Sequence, residues 1–392
     1  MNQLNNKIQI GILGSGTMGS GIAQAAAESG HNVVLYDIEK SALQKAKLNH
    51  KKTFERLVEK NKYKKEESSE ILININYESE IETLKNCGFI IEAVAENLDT
   101  KRNLFKDLEK IIKEDAILAT NTSSLSITSI ASSCNIPGRV IGTHFFNPAP
   151  LMPLVEIIPG IQTEKDTVNS AAELLSGWGK ICVKAKDTPG FIVNRIARPF
   201  YGEALRILEE GIADAVTIDY AMKETGKFKM GPFELMDLIG NDINYKVTET
   251  VFEQFYFDPR FKPSVTQKRM VEAKLYGRKT GKGFYDYNDK SVNPEPDKDE
   301  NLNIEIFFRI LSMLINEAAD AVFMNIASIE DIDLAMTKGL NYPKGLLKWA
   351  DERGIDKIVK RLNMLYDDYG EDRYRVNPLL RKMAKENKKF YM

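Results

Sequence analysis

The stretch "IQIGILGSGTMGSGIAQAAAESG", residues 8–30, decides how this chain begins to fold. Ile8, Ile10, Ile12 and Leu13 form a short apolar run suited to a buried strand. Gly14, Gly16 and Gly19 follow in G-x-G-x-x-G spacing, with Thr17 and Met18 in the same turn. Ile22, Ala23, Ala25 and Ala26 then recur at helical spacing up to Gly30. Strand, glycine turn and helix in this order have a physical rationale. Gly14 permits the tight turn, Gly16 lets the backbone approach a pyrophosphate, and Gly19 lets the helix pack closely on the strand. The phosphates would sit on the helix N-terminus. A second strand, "HNVVLYD", ends in Asp37, near the ~20-residue spacing at which an acid accepts from an adenosine ribose. An acid there with no arginine directly after it favours NAD over NADP, because a 2′-phosphate would meet its charge.

The alternation continues. Residues 41–65 read as lysine-rich helices and "FIIEAVAE" (89–96) as a buried strand running into a turn. Residues 100–112 fit an amphipathic helix with Leu104, Leu108, Ile111 and Ile112 on one face. "AILATNTSS" (116–124), "RVIGTHFF" (139–146) and "LVEIIP" (154–159) read as further strands. This predicts a mostly parallel, doubly wound α/β sheet of Rossmann type, with ligands outside the carboxyl ends of its strands.

Bulk composition excludes other classes. The 54 basic and 56 acidic side chains leave a net charge of −2, which provides no field for nucleic acid and no basic face for a membrane. No apolar run approaches the roughly 18 residues of a spanning helix. "MNQLNNKIQI" is too polar for a signal peptide and "KKFYM" carries no targeting tripeptide. Cys87, Cys134 and Cys182, odd in number and widely spaced, suit a reducing cytoplasm. With only three histidines, no metal site is expected.

One of those histidines, His144, stands at the end of an apolar run in "GTHFFNPAP" (142–150). Ser123 and Ser124 follow another strand, Glu156 lies in the strand after His144, and Asn194 lies in "DTPGFIVNRI". A secondary alcohol that loses hydride must also lose its hydroxyl proton, and histidine is the natural base. A carboxylate on its other nitrogen would fix the tautomer and stabilise the imidazolium. Ser123 and Asn194 could hold substrate oxygens. On the residues alone, a histidine at a strand end serves structure more often than chemistry, and "NTSS" is more often a loop or a helix N-cap.

The pieces "GILGSGTMGSGIA", "EAVAENLDTK", "NTSSLSITSI", "GTHFFNPAPLMPLVEII", "DTPGFIVNRI" and "GRKTGKGFYDY" stand in one order over roughly residues 7–290. In them the chain resembles the L-3-hydroxyacyl-CoA dehydrogenases, including the 3-hydroxybutyryl-CoA dehydrogenases. The resemblance implies His144 as catalytic base, Glu156 as its orienting partner, and Ser123 and Asn194 at the substrate oxygens. It implies that Glu96, Lys101 and Asn121 touch NAD, and that the lysine-rich segment 45–65 contacts coenzyme A. The implied reaction is reversible oxidation of a (3S)-3-hydroxyacyl-CoA, of short chain, to the 3-ketoacyl-CoA. The rival readings are a dehydrogenase of a small polyol or sugar acid, and a catalytically silent subunit of a fatty-acid oxidation assembly. His50, within the lysine-rich segment, reads as a surface residue, and His31 as structural.

Beyond residue 188 the pattern turns helical and is written twice. At a constant offset of 114, Arg195-Ile196 maps to Arg309-Ile310, Glu203-Ala204 to Glu317-Ala318, Ile218-Asp219 to Ile332-Asp333, Gly231 to Gly345, Asp237 to Asp351 and Gly240 to Gly354. Asn194 maps to Phe308, so the second copy lacks the amide. The polar, proline-bearing "NDKSVNPEPDKDENLN" (288–303) reads as a linker. The expected organisation is an NAD-binding domain over 1–187, a helical domain over 188–295, and a degenerate second all-α copy over 296–392. In single-copy family members the helical domains pair into a dimer. The duplicate could take the partner's place, which leaves a monomer with an internal pseudo-dimer, or a homodimer.

Overall fold

Ile10, Gly11, Ile12 and Leu13 are all buried and form β1 (Ile10–Leu13), the centre of a sheet covered on both faces. The computed structural model describes residues 8–288 and 292–391. The polar segment ahead of residue 8, residues 289–291 of the expected linker, and Met392 lie outside the described residues. The chain divides into two compact units, Met1–Thr188 and Pro189–Met392.

In the first unit β1 leads through the glycine turn into α1 (Thr17–Glu28). There follow β2 (Val33–Tyr36), α2 (Lys40–Glu59), α3 (Lys65–Ile73), β3 (Ile75–Glu78), β4 (Phe89–Glu92), α4 (Leu98–Leu108), β5 (Ile117–Thr120), α5 (Ile127–Ala131), β6 (Val140–Phe145), β7 (Leu154–Pro159), α6 (Lys165–Gly177) and β8 (Ile181–Lys184). The strands form one sheet in the order β3-β2-β1-β4-β5-β6-β7-β8. Every pair is parallel except β6 with β7. The order winds outward in both directions from β1, as the strand–helix alternation predicts. The edge strands β3 ("INYE") and β8 ("ICVK") escaped the sequence reading because only part of each is buried. α4 ends at Leu108, so Ile111 and Ile112 fall in the turn beyond it, although Ile112 is still buried. Alanines 23 and 25–27 of α1 are buried, and their small side chains let the helix lie close on the sheet.

The second unit is helical: α7 (Val193–Ile196), α8 (Arg198–Glu209), α9 (Ala215–Glu224), α10 (Pro232–Ile239), α11 (Asn241–Gln254) and α12 (Val265–Glu272), then α13 (Glu300–Phe323), α14 (Ile329–Gly339), α15 (Leu346–Arg353), α16 (Ile355–Tyr369) and α17 (Pro378–Glu386). Two of its local devices occur twice. The Asp219 carboxylate accepts from the Phe233 and Glu234 amides at the start of α10 and from the Tyr285 hydroxyl. Asp333 does the same for Leu347 and Lys348 at the start of α15 and for Tyr391. Asp237 accepts from the Phe284 and Tyr285 amides, and Asp351 from those of Phe390 and Tyr391. Gly231 and Gly345 admit their aspartates closely, since a Cβ on either would lie 2.2–2.3 Å from the carboxylate.

The two halves of this unit grip each other reciprocally. Arg195 donates to Glu317 at 2.7 Å, and Arg309 donates to Glu203 at 2.6 Å. Because 195 and 309, and 203 and 317, match at the offset of 114, each half offers an arginine and a glutamate at corresponding positions to the other. That is the isologous pattern of a two-fold interface, here within one chain. Phe228 and its counterpart Tyr342 pack edge to face with ring centroids 4.9 Å apart. Among the described residues, no helix is long and apolar enough to cross a membrane.

Glu317 also accepts from Arg260, and Asp320 faces both guanidiniums. Glu317→Ala should therefore lower stability by about 3 kcal/mol, the low end for breaking a buried pair, because Asp320 stays. Urea unfolding with an unchanged slope and a lower midpoint is the expected readout. An unshifted midpoint would show that the pair holds nothing together.

Candidate active site

The antiparallel pairing of β6 with β7 sets His144 directly opposite Glu156. Side chains opposite each other in such a ladder share a face. The His144 Nδ1 lies 2.6 Å from Oε2 of Glu156, whose carboxylate is fully buried. A carboxylate only accepts, so the proton of the neutral ring resides on Nδ1 and the lone pair on Nε2. The Phe146 ring packs 4.5 Å from the imidazole. Asn121, just past β5, accepts from the Phe145 amide at 2.8 Å through its side chain and donates its own amide to the Glu92 carbonyl. It thereby ties the ends of three strands together beside His144.

A second cluster lies at the ends of β4 and β5. Glu96 accepts from the Thr122 hydroxyl at 2.6 Å and from the Ser123 amide and hydroxyl at 2.9 and 3.2 Å. Lys101 approaches it to 3.1 Å. Burial would raise the Glu96 pKa, but the Lys101 charge and these hydrogen bonds hold it below the usual carboxylate range. Lys101 itself is 1 % exposed, and its ammonium also donates to both oxygens of Glu92. Glu92 passed unremarked in the sequence; an acid closing the apolar run "FIIE" was the available signal.

The glycine turn fits a dinucleotide. Gly14 has φ +92°, and a Cβ there would strike the Ala93 carbonyl. A Cβ on Gly16 would meet nothing within 4 Å, so this backbone faces open space where a pyrophosphate could lie. At Gly19 a Cβ would sit 1.8 Å from the Gly14 carbonyl, which is how closely α1 passes the turn. Asp37 accepts from the Ser15 amide and hydroxyl, both at 2.7 Å. Burial pushes its pKa up, yet the bonds from the Glu39 and Ser15 amides and the Ser15 hydroxyl bring it below the ordinary value, so it is an anion near neutral pH. Met18 packs on the core, while Thr17 lines a cavity of about 570 Å³ shared with Gly16, Ser20, Lys45, Asn49 and Pro150. Asn194 belongs to the second unit, in α7.

His50 is not a surface residue. It is 2 % exposed, with Nε2 2.9 Å from the Ser20 carbonyl and Nδ1 2.7 Å from the Tyr77 hydroxyl. Since the carbonyl only accepts, Nε2 carries the proton and Tyr77 donates to Nδ1. The helical spacing Leu43, Ala46, His50, Phe54 marks the buried face of α2, a signal obscured by the surrounding lysines. His31 is likewise buried, against the Ile8 carbonyl, as a structural residue should be. Lys180 was also missed: its ammonium donates to the Ala149 and Met152 carbonyls and so anchors the loop between β6 and β7.

A domain that can cradle a dinucleotide and also holds a histidine backed by a buried carboxylate has the features of a nicotinamide-dependent oxidoreductase. Compared with known proteins, residues 9–188 match the family model "3-hydroxyacyl-CoA dehydrogenase, NAD binding domain". Residues 190–287 and 306–390 match "3-hydroxyacyl-CoA dehydrogenase, C-terminal domain". The chain belongs to the 3-hydroxyacyl-CoA dehydrogenase family. It is 35% identical to the 3-hydroxyadipyl-CoA dehydrogenase of Escherichia coli (strain K12), over 96% of this chain and 97% of that one. It is 43% identical to the 3-hydroxybutyryl-CoA dehydrogenase of Clostridioides difficile, over 72% of this chain and all of that one. The crystal structure of a 3-hydroxybutyryl-CoA dehydrogenase from E. coli K12 superposes with a TM-score of 0.91 at 35% identity, covering 97% of this chain and 98% of that chain. The enzyme is an NAD-dependent oxidoreductase, and the polyol and silent-subunit readings fall away.

Burial lowers the His50 pKa, against a smaller opposing effect of the Ser20 hydrogen bond. The folded ring stays neutral where the unfolded one, with a pKa of about 6.5, takes up a proton. Stability from this residue is thus fully present above about pH 6.5 and declines as the pH falls through that value. His50→Gln should flatten the loss of urea midpoint between about pH 7 and 5; parallel wild-type and variant curves would contradict this.

Proposed function

We propose that His144 is the catalytic base for reversible oxidation of short (3S)-3-hydroxyacyl-CoA thioesters. The observation that carries this reading is the 2.6 Å contact between Nδ1 of His144 and the fully buried Glu156. With Nδ1–H committed to Glu156, Nε2 takes the proton of the substrate's C3 hydroxyl. Glu156 stabilises the imidazolium that results, and in the reverse direction His144 returns the proton. Bound NAD supplies the ring that accepts hydride from C3. Ser123 and Asn194 hold the substrate oxygens. Gly14, Gly16, Thr17, Met18 and Gly19 form the pyrophosphate turn, and Asp37 accepts from the ribose. Glu96 and Asn121 border the cofactor, and the buried Lys101 acts there through Glu96. Lysines of α2, Lys45 among them, meet the phosphates of coenzyme A.

The acyl chain is short in this reading, with four carbons as the reference substrate. The helical unit is read as two copies of one domain, divided near residue 295, with Phe308 in the place of Asn194 leaving the second copy without a site. The reciprocal Arg195–Glu317 and Arg309–Glu203 pairs support the duplicate as an internal dimer partner. A cytoplasmic location accords with three unpaired cysteines.

NADH absorbance in the presence of acetoacetyl-CoA tests the activity directly. Rapid loss with NADH and little with NADPH is expected, because the Asp37 anion repels a 2′-phosphate. His144→Ala should lower kcat by about 10²–10⁴, and Glu156→Gln should lower kcat more than it changes KM. Unchanged turnover of His144→Ala would remove the base from the scheme. Sedimentation at nanomolar concentration should find a monomer; an obligate dimer would exclude the internal partner.

A further inference from the structure

Five arginines are buried among the described residues: Arg139, Arg195, Arg198, Arg309 and Arg373. Four face a carboxylate, of Glu109, Glu317, Glu203 and Glu371 respectively. Arg198 faces none, although it is only 6 % exposed. Its Nε donates to the Asn194 carbonyl at 3.0 Å, and its Nη1 to the Thr248 hydroxyl at 2.9 Å and the Asn244 carbonyl at 3.4 Å. Nη2 donates to no described residue. All of its acceptors are neutral, and a buried guanidinium without an anion is costly. Beside it the Tyr342 hydroxyl is buried with no hydrogen-bond partner. Tyr201 lies under the guanidinium, 5.0 Å from its ring centroid. Arg198, Tyr201 and Tyr342 lie close enough to perturb one another's proton affinity.

The duplication shows whether the fold requires this group. At the offset of 114 the second copy keeps the interface pair, as Arg309 and Glu317, but has Ser312 in the place of Arg198. The neighbours Asn244 and Thr248 become Ile358 and Leu362. The Ser312 hydroxyl donates to the Phe308 carbonyl, the counterpart of the Asn194 carbonyl that Arg198 serves. The same helix is thus built without a charge. Arg198, Asn244 and Thr248 occur only in the copy that carries Asn194 and vanish together with it, while Tyr342 packs beside them from the other half. A group that the fold does not need, and that accompanies the substrate-side amide, points to a ligand.

The ligand is an anion, and its place relative to Asn194 sets its distance along the substrate. Arg198 reaches back one helical turn, about 5.4 Å, to the Asn194 backbone. In a six-carbon acyl chain the terminal carbon lies three bonds of about 1.5 Å beyond C3. A charge-assisted hydrogen bond of about 2.8 Å covers the remaining reach to a guanidinium. We infer that Arg198, with Tyr201 and the Tyr342 hydroxyl, receives the terminal carboxylate of a dicarboxylic 3-hydroxyacyl-CoA. This rests on the reading above in which Asn194 holds a substrate oxygen, and it extends that reading to the far end of the acyl chain.

The test compares kcat/KM of the full chain, with NADH, for three 3-ketoacyl-CoA substrates. These are the four-carbon thioester, the six-carbon monocarboxylic thioester, and the six-carbon thioester ending in a carboxylate. The carboxylate-bearing substrate should exceed the plain six-carbon one by about 10–100-fold, the range for hydrogen bonds to a charged group. In Arg198→Leu that ratio should collapse to about one; taken on one preparation, it is insensitive to a general loss of folded protein. Should the variant not fold, the wild type measured against the terminal amide of the same thioester serves instead, with the carboxylate expected to win by about tenfold or more. Equal turnover of all the six-carbon thioesters, alongside activity on the four-carbon one, would overturn this inference and leave the hydroxyacyl-CoA reading standing. Failure to reduce any of the thioesters would end both.

Discussion

A carboxylate removed completely from water is tolerated as an anion only when something donates to it. Glu156 satisfies that condition through His144, and much of the first domain is arranged around this contact. It needs β6 and β7 to run antiparallel, the single exception in an otherwise parallel sheet. The exception needs a loop that turns the chain directly back, and Lys180 braces that loop by two carbonyls. It also needs the end of β6 held in register, which Asn121 does from the neighbouring strand. His144, Glu156 and the supporting loop are therefore one construction.

Elsewhere in the sheet the same condition is met differently. Glu92 is fully buried and is matched by the Lys101 ammonium, the Thr120 hydroxyl and the Val94 amide. Lys101 also holds Glu96, and Glu96 in turn gathers Thr122 and Ser123. The loop after β5 is gathered by Glu96, which is partly exposed, and Glu96 is tied through the buried Lys101 to the fully buried Glu92. Low local dielectric makes such networks stiff when complete and costly when a member is lost.

In the helical unit buried charge has a second use. The reciprocal arginine–glutamate pairs join the two halves of the unit, and their recurrence at the offset of 114 has the pattern of a two-fold contact. Against that background Arg198 stands apart, because among the described residues its surroundings supply hydrogen-bond acceptors but no anion.

Local patterning made the architecture legible from the amino acids. The glycine spacing after an apolar run, the alternation of strands and helices, the acid ending β2 and the offset of 114 are set by backbone sterics and periodicity, which act over a few residues or repeat without change. The twelve-residue separation of His144 and Glu156 could also be read and the family resemblance implied their contact, but spacing alone could not supply it, because it depends on the direction in which β7 returns. Only the tertiary structure could bury His50 against Tyr77, match Lys101 to two glutamates, or join Arg195 to a glutamate 122 positions away. In each case a polar group reads as surface until distant segments close over it, and which partner then neutralises it is decided by packing.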